Sequence, residues 1–383
     1  MIVSSIFISN MATRKEKSMA IKEPSFRIGS GRYIQDDGLI SSIGTEIIRH
    51  ASSPLVIGGA TALSITRDSI SNSIGNHCNK YEIIEHRGTC NENDAERIAD
   101  YALSNNFDLI VGVGGGVIMD FAKLTAARAH LGVVNVPTSI ATCAAFTPLS
   151  VKYTEEGRTV GTEHFECEVN AVVADTAVLR RQPKRLVLSG VFDAIAKHTE
   201  ITHRYDPTLP IGSSPLGLSY ASTLARSTRD LLMNETDGAL SDMSLDYTTD
   251  RFSEIVFATV AVTGVISGIA RGSNQTALAH KFYEITRQLF PVESRPYLHG
   301  EIVGVGLLLQ NHYNGTLSDN DIITSLMHKY SMPASINVFG VPMDNETLME
   351  YEYRISHSSA MSPDDKVAVA KLHDALKYLW SVK

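Results

Sequence analysis

The feature of this sequence that most limits its fold is a regular alternation of short apolar runs and helical patterns between residues 24 and 140. The apolar runs, which have the character of strands, are PLVIG (54–58), YEIIE (81–85), FDLIV (107–111) and VVNVP (133–137). This alternation is typical of a parallel sheet wound with helices, in which ligands bind at the carboxyl ends of the strands. The sequence therefore predicts an α/β domain with a ligand site at one end of its sheet.

A run of three glycines, residues 114–116, follows the third of these strands within VGVGGGVIMDFAK (111–123). A glycine turn before a helix leaves backbone N–H groups free at the helix N-terminus, where they suit a phosphate. The run is not the dinucleotide fingerprint G-x-G-x-x-G, because Val117 stands at its last glycine, and it is not a Walker A loop. A phosphate-binding loop and a plain strand-to-helix turn therefore both stay open. We interpret Asp120 and Lys123 as stabilising the following helix, with Asp120 in its first turn, opposing the helix dipole.

The character of the sequence changes near residue 180. Residues 150–165 alternate as a β-hairpin with Glu156-Gly157 at its turn, and after Pro183 long helical stretches replace the strand-like runs. This change predicts a second, helical domain. The predicted division is a flexible N-terminal extension at 1–22, an α/β domain at 23–180 and a helical domain at 181–383.

Composition narrows the class of partner. The chain has 383 residues and a net charge of −8 without a Lys/Arg block, which argues against nucleic acid or an anionic membrane and favours a small-molecule substrate. Its cysteines have no C-x-x-C spacing, which suits a reducing cytoplasm rather than a disulfide framework or a zinc knuckle. The basic residues of the N-terminus follow its apolar stretch, the reverse of a secretory signal, and we expect no apolar run long enough to span a bilayer.

Three residues in the helical half are candidate metal ligands: Asp193 in GVFDAIAKHTE, His280 in NQTALAHKFYE and His299 in PYLHGEIVG. A carboxylate and two imidazoles from different helices suit a divalent ion such as Zn²⁺ with positions open for substrate. The chain has 13 histidines, so a surface or core role is the alternative for each. His198 competes as a ligand, but five residues beyond Asp193 it lies on another helix face, and we interpret it as structural.

Five motifs, in this order, resemble the iron-containing alcohol dehydrogenase superfamily in its glycerol-dehydrogenase-like branch. They are GGGVIMDFAK (114–123), VPTSIATCAAFTPLSVKYTEEG (136–157), LSGVFDAIAKHTE (188–200), ALAHKFYE (277–284) and LHGEIVGVG (298–306). The resemblance implies a dehydroquinate synthase-like fold, with a Rossmann-like α/β N-terminal domain and an all-α C-terminal domain. It also implies a homo-oligomer and a cleft between the domains for NAD or NADP and a divalent metal, Zn²⁺ or Fe²⁺.

The resemblance also assigns site residues by position. Asp193, His280 and His299 match the metal ligands, through which these residues would act in catalysis. The positions assigned to the cofactor are Gly59, Gly114, Gly115, Gly116, Asp120, Thr138, Thr147, Leu149 and Tyr153. The glycines at 114–116 would receive the pyrophosphate, and the last four residues would line the nicotinamide. No side chain in the motifs is an obvious general base, so a metal-bound water or a solvent relay is expected to move the proton.

Two positions depart from the glycerol-dehydrogenase pattern. Cys143 stands where those enzymes have an aspartate that helps to hold the polyol hydroxyls, and the surrounding motif is closer to hydroxycarboxylate dehydrogenases, which reduce 2-oxo acids. We expect Lys152 to assist a substrate carboxylate if its side chain turns inward. Gly59 lies where NAD-preferring relatives often have an aspartate, so NADP can be admitted. Read without the resemblance, Cys143 is either a nucleophile or, as its neighbours favour, a small buried side chain.

The predicted function is a metal-dependent, NAD(P)-linked oxidoreductase that interconverts a small alcohol and its carbonyl. A 2-hydroxy acid and 2-oxo acid pair is favoured, with glycerol or another polyol as the alternative. Two readings from other classes stay open, a sugar-phosphate cyclase (a lyase) of the same fold and a non-catalytic binding protein. Cyclases use a glutamate in the metal set, so Asp193 favours the dehydrogenase, and the intact set of three candidate ligands argues against a non-catalytic protein.

Overall fold

The computed structural model describes residues 27–155, 157–203, 205, 216–270 and 275–382. The predicted extension at 1–22 and the turn residue Glu156 lie outside the described residues. Within them, the chain forms a parallel sheet with helices, with a small hairpin before the last strand of that sheet, and then a helical region.

A six-stranded parallel sheet forms the first region. The strands are β1 (Tyr33–Asp36), β2 (Pro54–Gly58), β3 (Glu82–Glu85), β4 (Leu109–Gly114), β5 (Gly132–Pro137) and β8 (Ala171–Asp175). They lie in the order β1-β8-β5-β4-β2-β3, with every adjacent pair parallel. The helices of this region are α1 (Ile43–Ile47), α2 (Ala60–Gly75), α3 (Glu92–Ser104) and α4 (Gly116–Ala129). The predicted α/β fold is confirmed.

The burial of the strands explains which of them the sequence reveals. β2, β4 and β8 are buried along their whole length, so they are continuous apolar runs, as parallel strands covered on both faces must be. β1 was not predicted, because its residues, YIQD, carry no apolar run: three of them are half-buried and Asp36 is exposed.

The order of the strands reverses beside β2. From β2 the chain moves outward to β3, and then crosses to the other side of β2 to form β4. Such a reversal opens a crevice at the carboxyl ends of the two strands, where α/β folds bind their ligands. The turn at Gly59 and the turn at Gly115 lie at the two sides of this crevice.

The predicted hairpin is present as the antiparallel pair β6 (Leu149–Tyr153) and β7 (Thr159–His164). After β8 every described element is helical. The helices are α5 (Thr176–Leu179), α6 (Lys184–Ile201), α7 (Leu216–Asp242), α8 (Asp250–Ala270), α9 (Leu278–Leu289), α10 (His299–Asn314), α11 (Ser318–Lys329), α12 (Asn345–Ser356) and α13 (Lys366–Ser381). One cluster of buried apolar side chains runs from Phe121 beside the sheet to Phe192 and Leu308 among the helices. The domain division at residue 180 stays a prediction.

Helix α8 corrects one expectation. It has 21 residues and is apolar enough to span a membrane by length and composition, although we expected no such run. Of its most apolar window, 56% is buried inside the protein, where it packs as a core helix. The run is not evident in the sequence because polar residues such as Thr259 and Thr263 interrupt it. Their hydroxyls donate to backbone carbonyls of the same helix.

Candidate active site

The three candidate metal ligands lie together. Asp193 is in the middle of α6, His280 is in the first turn of α9 and His299 begins α10. Each offers one ligand atom, and these atoms all lie within 4.8 Å of one another. The Nε2 atoms of His280 and His299 are 3.3 Å and 3.5 Å from Oδ1 of Asp193. The structure thus brings together residues that are far apart in the sequence, and their role as ligands stays a prediction.

A close helix contact places His299 against Asp193. A Cβ atom on Gly300 would lie 1.8 Å from the carbonyl oxygen of Ser189, so a side chain there would force α10 away from α6. The start of α10 is also fixed by Glu301, which accepts a hydrogen bond from the backbone N–H of Leu298 at 2.7 Å. Ser189 stands one turn before Asp193 on α6, so this backbone packing holds His299 beside Asp193.

Asp193 is the anionic centre of the site. It is buried, and although burial would raise the pKa of its carboxyl, the Lys197 ammonium and the imidazoles of His280 and His299 hold that pKa well below its ordinary value. Its buried Oδ1 makes no properly aligned hydrogen bond among the described residues. A buried carboxylate oxygen that accepts no aligned hydrogen bond and faces two imidazole nitrogens can coordinate a divalent cation together with them.

Glu200, which the sequence analysis missed, orients His280. Its Oε1 accepts hydrogen bonds from the backbone N–H of Ala277 at 2.6 Å and of His280 at 2.9 Å, and its Oε2 contacts Nδ1 of His280. Burial alone would lower the pKa of His280, but the Glu200 carboxylate raises it to about 9. Glu200 and Asp193 therefore stabilise positive charge on either side of this imidazole, as partners of a metal-ligating histidine do.

Lys197 is the second residue that was missed. Its Nζ lies 3.8 Å from Oδ1 of Asp193, and its side chain is buried. The signal that would have found both residues is their spacing, because Asp193, Lys197 and Glu200 stand at i, i+4 and i+7 and share one face of α6. His198 is not part of the cluster. Burial and the charge of Arg229 lower its pKa to about 4.

The glycine turn has the predicted geometry of a strand end and a helix start. β4 ends at Gly114, Gly115 precedes α4, and α4 begins at Gly116. The backbone of Gly115, with φ −85° and ψ −175°, is open to any residue, and a Cβ there would meet nothing closer than Ser139 at 3.9 Å. Neither backbone conformation nor packing within the described residues therefore requires glycine at 115. The space in front of the helix N-terminus is open, as a bound phosphate would need.

Other predicted cofactor residues lie around this turn. Gly59 precedes α2 and donates its N–H to the carbonyl of Val113 at 3.2 Å, which joins the turns after β2 and β4. Thr138 follows β5 and donates its N–H to the carbonyl of Gly114 at 2.9 Å. These contacts place Gly59 and Thr138 beside the glycine turn. Tyr153, at the end of β6, is half-buried, and burial raises the pKa of its phenol. The contact of the three residues with a cofactor stays a prediction.

The predicted role of Asp120 needs correction. It is the fifth residue of α4, beyond the first turn, so the interpretation as a dipole partner was wrong. Its Oδ1 lies 2.9 Å from Nζ of Lys123, and its Oδ2 accepts a hydrogen bond from the N–H of Val151 at 3.2 Å. Lys123 in turn donates to the backbone carbonyls of Ala144 and Thr147 in the loop before the hairpin and of Leu149 at the start of β6. The pair ties this loop to α4, and the contact of Asp120, Thr147 or Leu149 with cofactor stays a prediction.

Lys152 does not turn inward, so the condition for its predicted assistance to a substrate carboxylate is not met. Its Nζ lies 3.1 Å from a carboxylate oxygen of Glu92 and 2.7 Å from one of Glu163. Arg128 pairs with the same two carboxylates. The two carboxylates hold the Lys152 ammonium in a surface network between α3, α4 and the hairpin, which Arg128 shares.

Cys143 is a buried side chain in the loop that Lys123 holds. It is 9% exposed, and burial together with the charge of Asp193 raises the pKa of its thiol to about 11. The thiol is therefore neutral near pH 7, which supports the small buried side chain over the nucleophile. The loop of Cys143 packs closely on α6, the helix that carries Asp193, because a Cβ atom on Gly190 would lie 1.8 Å from the carbonyl oxygen of Ile140.

Comparison with known sequences gives concordant matches. The family model described as iron-containing alcohol dehydrogenase matches residues 30–179. Hydroxycarboxylate dehydrogenase A of Escherichia coli strain K12 is 31% identical over 277 residues, which cover 71% of this chain and 73% of that protein. A glycerol dehydrogenase of Pseudomonas putida is 28% identical over 320 residues, 83% of this chain and 86% of that protein.

Solved structures share the fold. A glycerol dehydrogenase of Schizosaccharomyces pombe superposes with a TM-score of 0.77 at 22% identity, covering 94% of this chain and 91% of that one. A sulfoacetaldehyde reductase of Bifidobacterium kashiwanohense, solved in complex with NAD⁺, superposes with a TM-score of 0.70 at 15% identity, over 91% and 97% of the two chains. At these identities the likeness concerns the fold alone.

Proposed function

Because this chain belongs to the iron-containing alcohol dehydrogenase family and is therefore an oxidoreductase, we propose that it interconverts a small alcohol and its carbonyl with a divalent metal ion and NAD or NADP. The observation that carries the proposal is the convergence of Asp193, His280 and His299 on one point, with their ligand atoms within 4.8 Å. The favoured substrate pair is a short 2-hydroxy acid and its 2-oxo acid.

The residues fit a divalent ion. The buried Oδ1 of Asp193 has no aligned donor among the described residues, and the Nε2 atoms of His280 and His299 face it. One carboxylate and two imidazoles suit Zn²⁺ or Fe²⁺ and leave coordination positions for a substrate. Such an ion supplies Lewis acidity that polarises a substrate carbonyl or favours the alkoxide of an alcohol.

The crevice of the sheet fits a dinucleotide. The open space at Gly115 in front of α4 would admit the pyrophosphate, whose charge the free N–H groups and the helix dipole favour. After β2, the run from Gly58 to Ala60 offers no carboxylate to repel a 2′-phosphate, so NADP and NAD are both compatible. The bound cofactor gives or takes the hydride.

The protein's own residues then supply position and electrostatics. Asp193 stays ionised, since its pKa is held low, and Glu200 fixes the His280 ring so that Nε2 faces Asp193. Lys123 and Asp120 hold the loop that carries Cys143 against α4. These contacts keep the groups around the substrate in one arrangement, which lowers the entropy lost in reaching the transition state.

Cys143 supports the choice of substrate. A neutral thiol in this position adds no negative charge beside Asp193, so a substrate can bring its own carboxylate into the cleft. An aspartate at position 143 would repel the substrate carboxylate, and two like charges in a partly desolvated site cost on the order of 1–4 kcal/mol of binding free energy. The similarity to hydroxycarboxylate dehydrogenase A agrees with this choice, and the similarity to glycerol dehydrogenases keeps a polyol as the alternative.

The proposal is tested by following NADH and NADPH oxidation against 2-oxo acids, aldehydes and ketones, with polyols tested in the reverse direction. We expect short 2-oxo acids to be reduced faster than glycerol is oxidised, and a chelator to abolish turnover. Net consumption of reduced cofactor excludes a sugar-phosphate cyclase. Absence of turnover with every carbonyl in the metal-loaded protein would refute the proposed function.

One variant tests the substrate class directly. Cys143→Asp should lower kcat/KM for the 2-oxo acid by roughly tenfold to several-hundredfold and shift the preference toward polyols. The measurement is kcat/KM for both classes, and Cys143→Ser serves as a neutral control of similar size. A wild-type preference for glycerol, or a Cys143→Asp variant with full 2-oxo acid activity, would show that this position does not set the substrate class.

A further inference from the structure

Two lysine side chains are buried near the cleft, and only one of them has its hydrogen bonds satisfied. Lys123, 2% exposed, donates to three backbone carbonyls and pairs with Asp120. Lys197, 6% exposed, donates no hydrogen bond to any residue that the structure describes, and its ion pair with Asp193 spans 3.8 Å. An ammonium has three donor protons, and those of Lys197 reach the open cleft, because its Nζ is not among the fully buried atoms that lack a hydrogen-bond partner. Lys123 is therefore structural, whereas the donors of Lys197 are available to a ligand.

Lys197 lies in the cleft because of its place on α6. Asp193 stands one turn before it and Glu200 about one turn after it, on the same helix face. Across the cleft, the loop that carries Cys143 packs on the same helix, because a Cβ atom on Gly190 would lie 1.8 Å from the carbonyl oxygen of Ile140. The ammonium therefore lies beside the three candidate metal ligands, on the helix that this loop contacts.

We infer that Lys197 binds the carboxylate of the substrate, and that it is the residue which makes the cleft select 2-oxo acids over neutral carbonyls. This inference rests on the proposed function. An ammonium donates charge-assisted hydrogen bonds to a carboxylate, which are stronger than those between neutral groups. A substrate carboxylate on Lys197 would also leave its keto oxygen near the position where the three candidate ligands would hold an ion, because Nζ of Lys197 lies only 3.8 Å from Oδ1 of Asp193.

The charges around the cluster favour an anionic substrate. A divalent ion held by neutral imidazoles brings two positive charges, which the carboxylates of Asp193 and Glu200 offset. Lys197 then leaves one positive charge in excess, which one substrate carboxylate neutralises. A neutral polyol or ketone leaves that charge unpaired. Without Lys197, a substrate carboxylate would itself be the unpaired charge.

The experiment compares Lys197→Met, which keeps the length of the side chain, with Lys197→Arg, which keeps its charge. Lys184→Met is the matched control, because Lys184 is exposed at the start of the same helix. Binding of oxamate, an unreactive 2-oxo acid analogue, and of its neutral amide oxamide is measured by calorimetry on the zinc-loaded protein with reduced cofactor. Turnover of pyruvate is compared with that of its neutral analogue butane-2,3-dione, and bound zinc is quantified.

We expect Lys197→Met to weaken oxamate and to raise KM for pyruvate by roughly 10- to 100-fold, as the loss of a hydrogen bond to a charged group does. The affinity for oxamide, the KM for the dione and the zinc content should change less than about threefold. Lys197→Arg should recover part of the lost oxamate affinity, and Lys184→Met should match the wild type. Equal losses for pyruvate and dione, or loss of zinc, would assign Lys197 to holding Asp193 and overturn the inference. A wild type that turns over no carbonyl would instead refute the proposed function, and oxamate binding would still decide the role of Lys197.

Discussion

The two sides of the cleft are made in different ways. On the sheet side, the surface is backbone, formed by the turns at Gly59 and Gly115 where adjacent parallel strands end. On the helical side, it is a set of side chains from three helices, Asp193, His280 and His299, around one point. Cofactor binding on the sheet side therefore requires that no side-chain atom fills the open space at these turns. The helical side depends on what is present, namely each carboxylate or imidazole.

This difference predicts how substitutions will act. Removing a side chain should damage the helical side, whereas adding one should damage the sheet side. Metal affinity and cofactor affinity should therefore respond separately, and the following predictions test that separation.

The largest effect is expected for the candidate ligands. His280→Ala and His299→Ala should each reduce turnover below about 1% of the wild type while the protein stays folded, because two remaining ligands hold a divalent ion poorly. Asp193→Asn should act similarly, since it removes the anionic ligand. Metal content and activity are measured together, with His198→Ala on α6 as the control. Retained metal with full activity in the two histidine variants would remove them from the site.

A smaller effect on the same side is expected for Glu200→Gln. This change keeps the shape of the side chain but removes the charge that orients and supports His280, so metal affinity should fall by about 10- to 100-fold. Competition with a chelator measures the affinity, and the KM for NADH or NADPH should not change. A parallel rise in that KM would mean that the two sides are not independent.

The smallest effect is expected on the sheet side. Gly115→Val should raise the cofactor KM about tenfold and leave metal content unchanged, because the added atoms occupy open space rather than protein. Gly116→Val is the contrast, since its Cβ would lie 2.9 Å from Oγ1 of Thr142 and should lower stability as well. Calorimetric binding of the cofactor and the thermal midpoint are compared for both. Metal loss in Gly115→Val would contradict the separation.

The sequence predicted the sheet side more completely than the helical side, for a physical reason. A buried parallel strand is a local apolar run and a turn is a local glycine cluster, so PLVIG and the run at 114–116 were recognisable by themselves. The edge strand β1 has neither signal. On the helical side, Asp193, His280 and His299 were found through the resemblance and through their residue types, because their proximity depends on helix packing that no local pattern encodes.

The errors have the same origin. Asp120 and Lys152 were placed from their sequence neighbours, whereas the structure pairs them with Lys123 and with Glu92 and Glu163 from other elements. Glu200 and Lys197 were missed although their spacing from Asp193 on α6 was visible. A helix-face count applied to each candidate ligand would have found both of them.

The contact between Gly300 and Ser189 has a consequence for folding. Asp193 and His299 become neighbours only once α10 has docked on α6, so a chain in which these helices are apart offers no complete set of ligands. A metal ion that binds only the docked state adds stability by mass action, about 2.7 kcal/mol at a free concentration 100 times its dissociation constant. The ion would thus bind late in folding. The metal content of a preparation would then report the fraction of molecules in which the helical half has assembled.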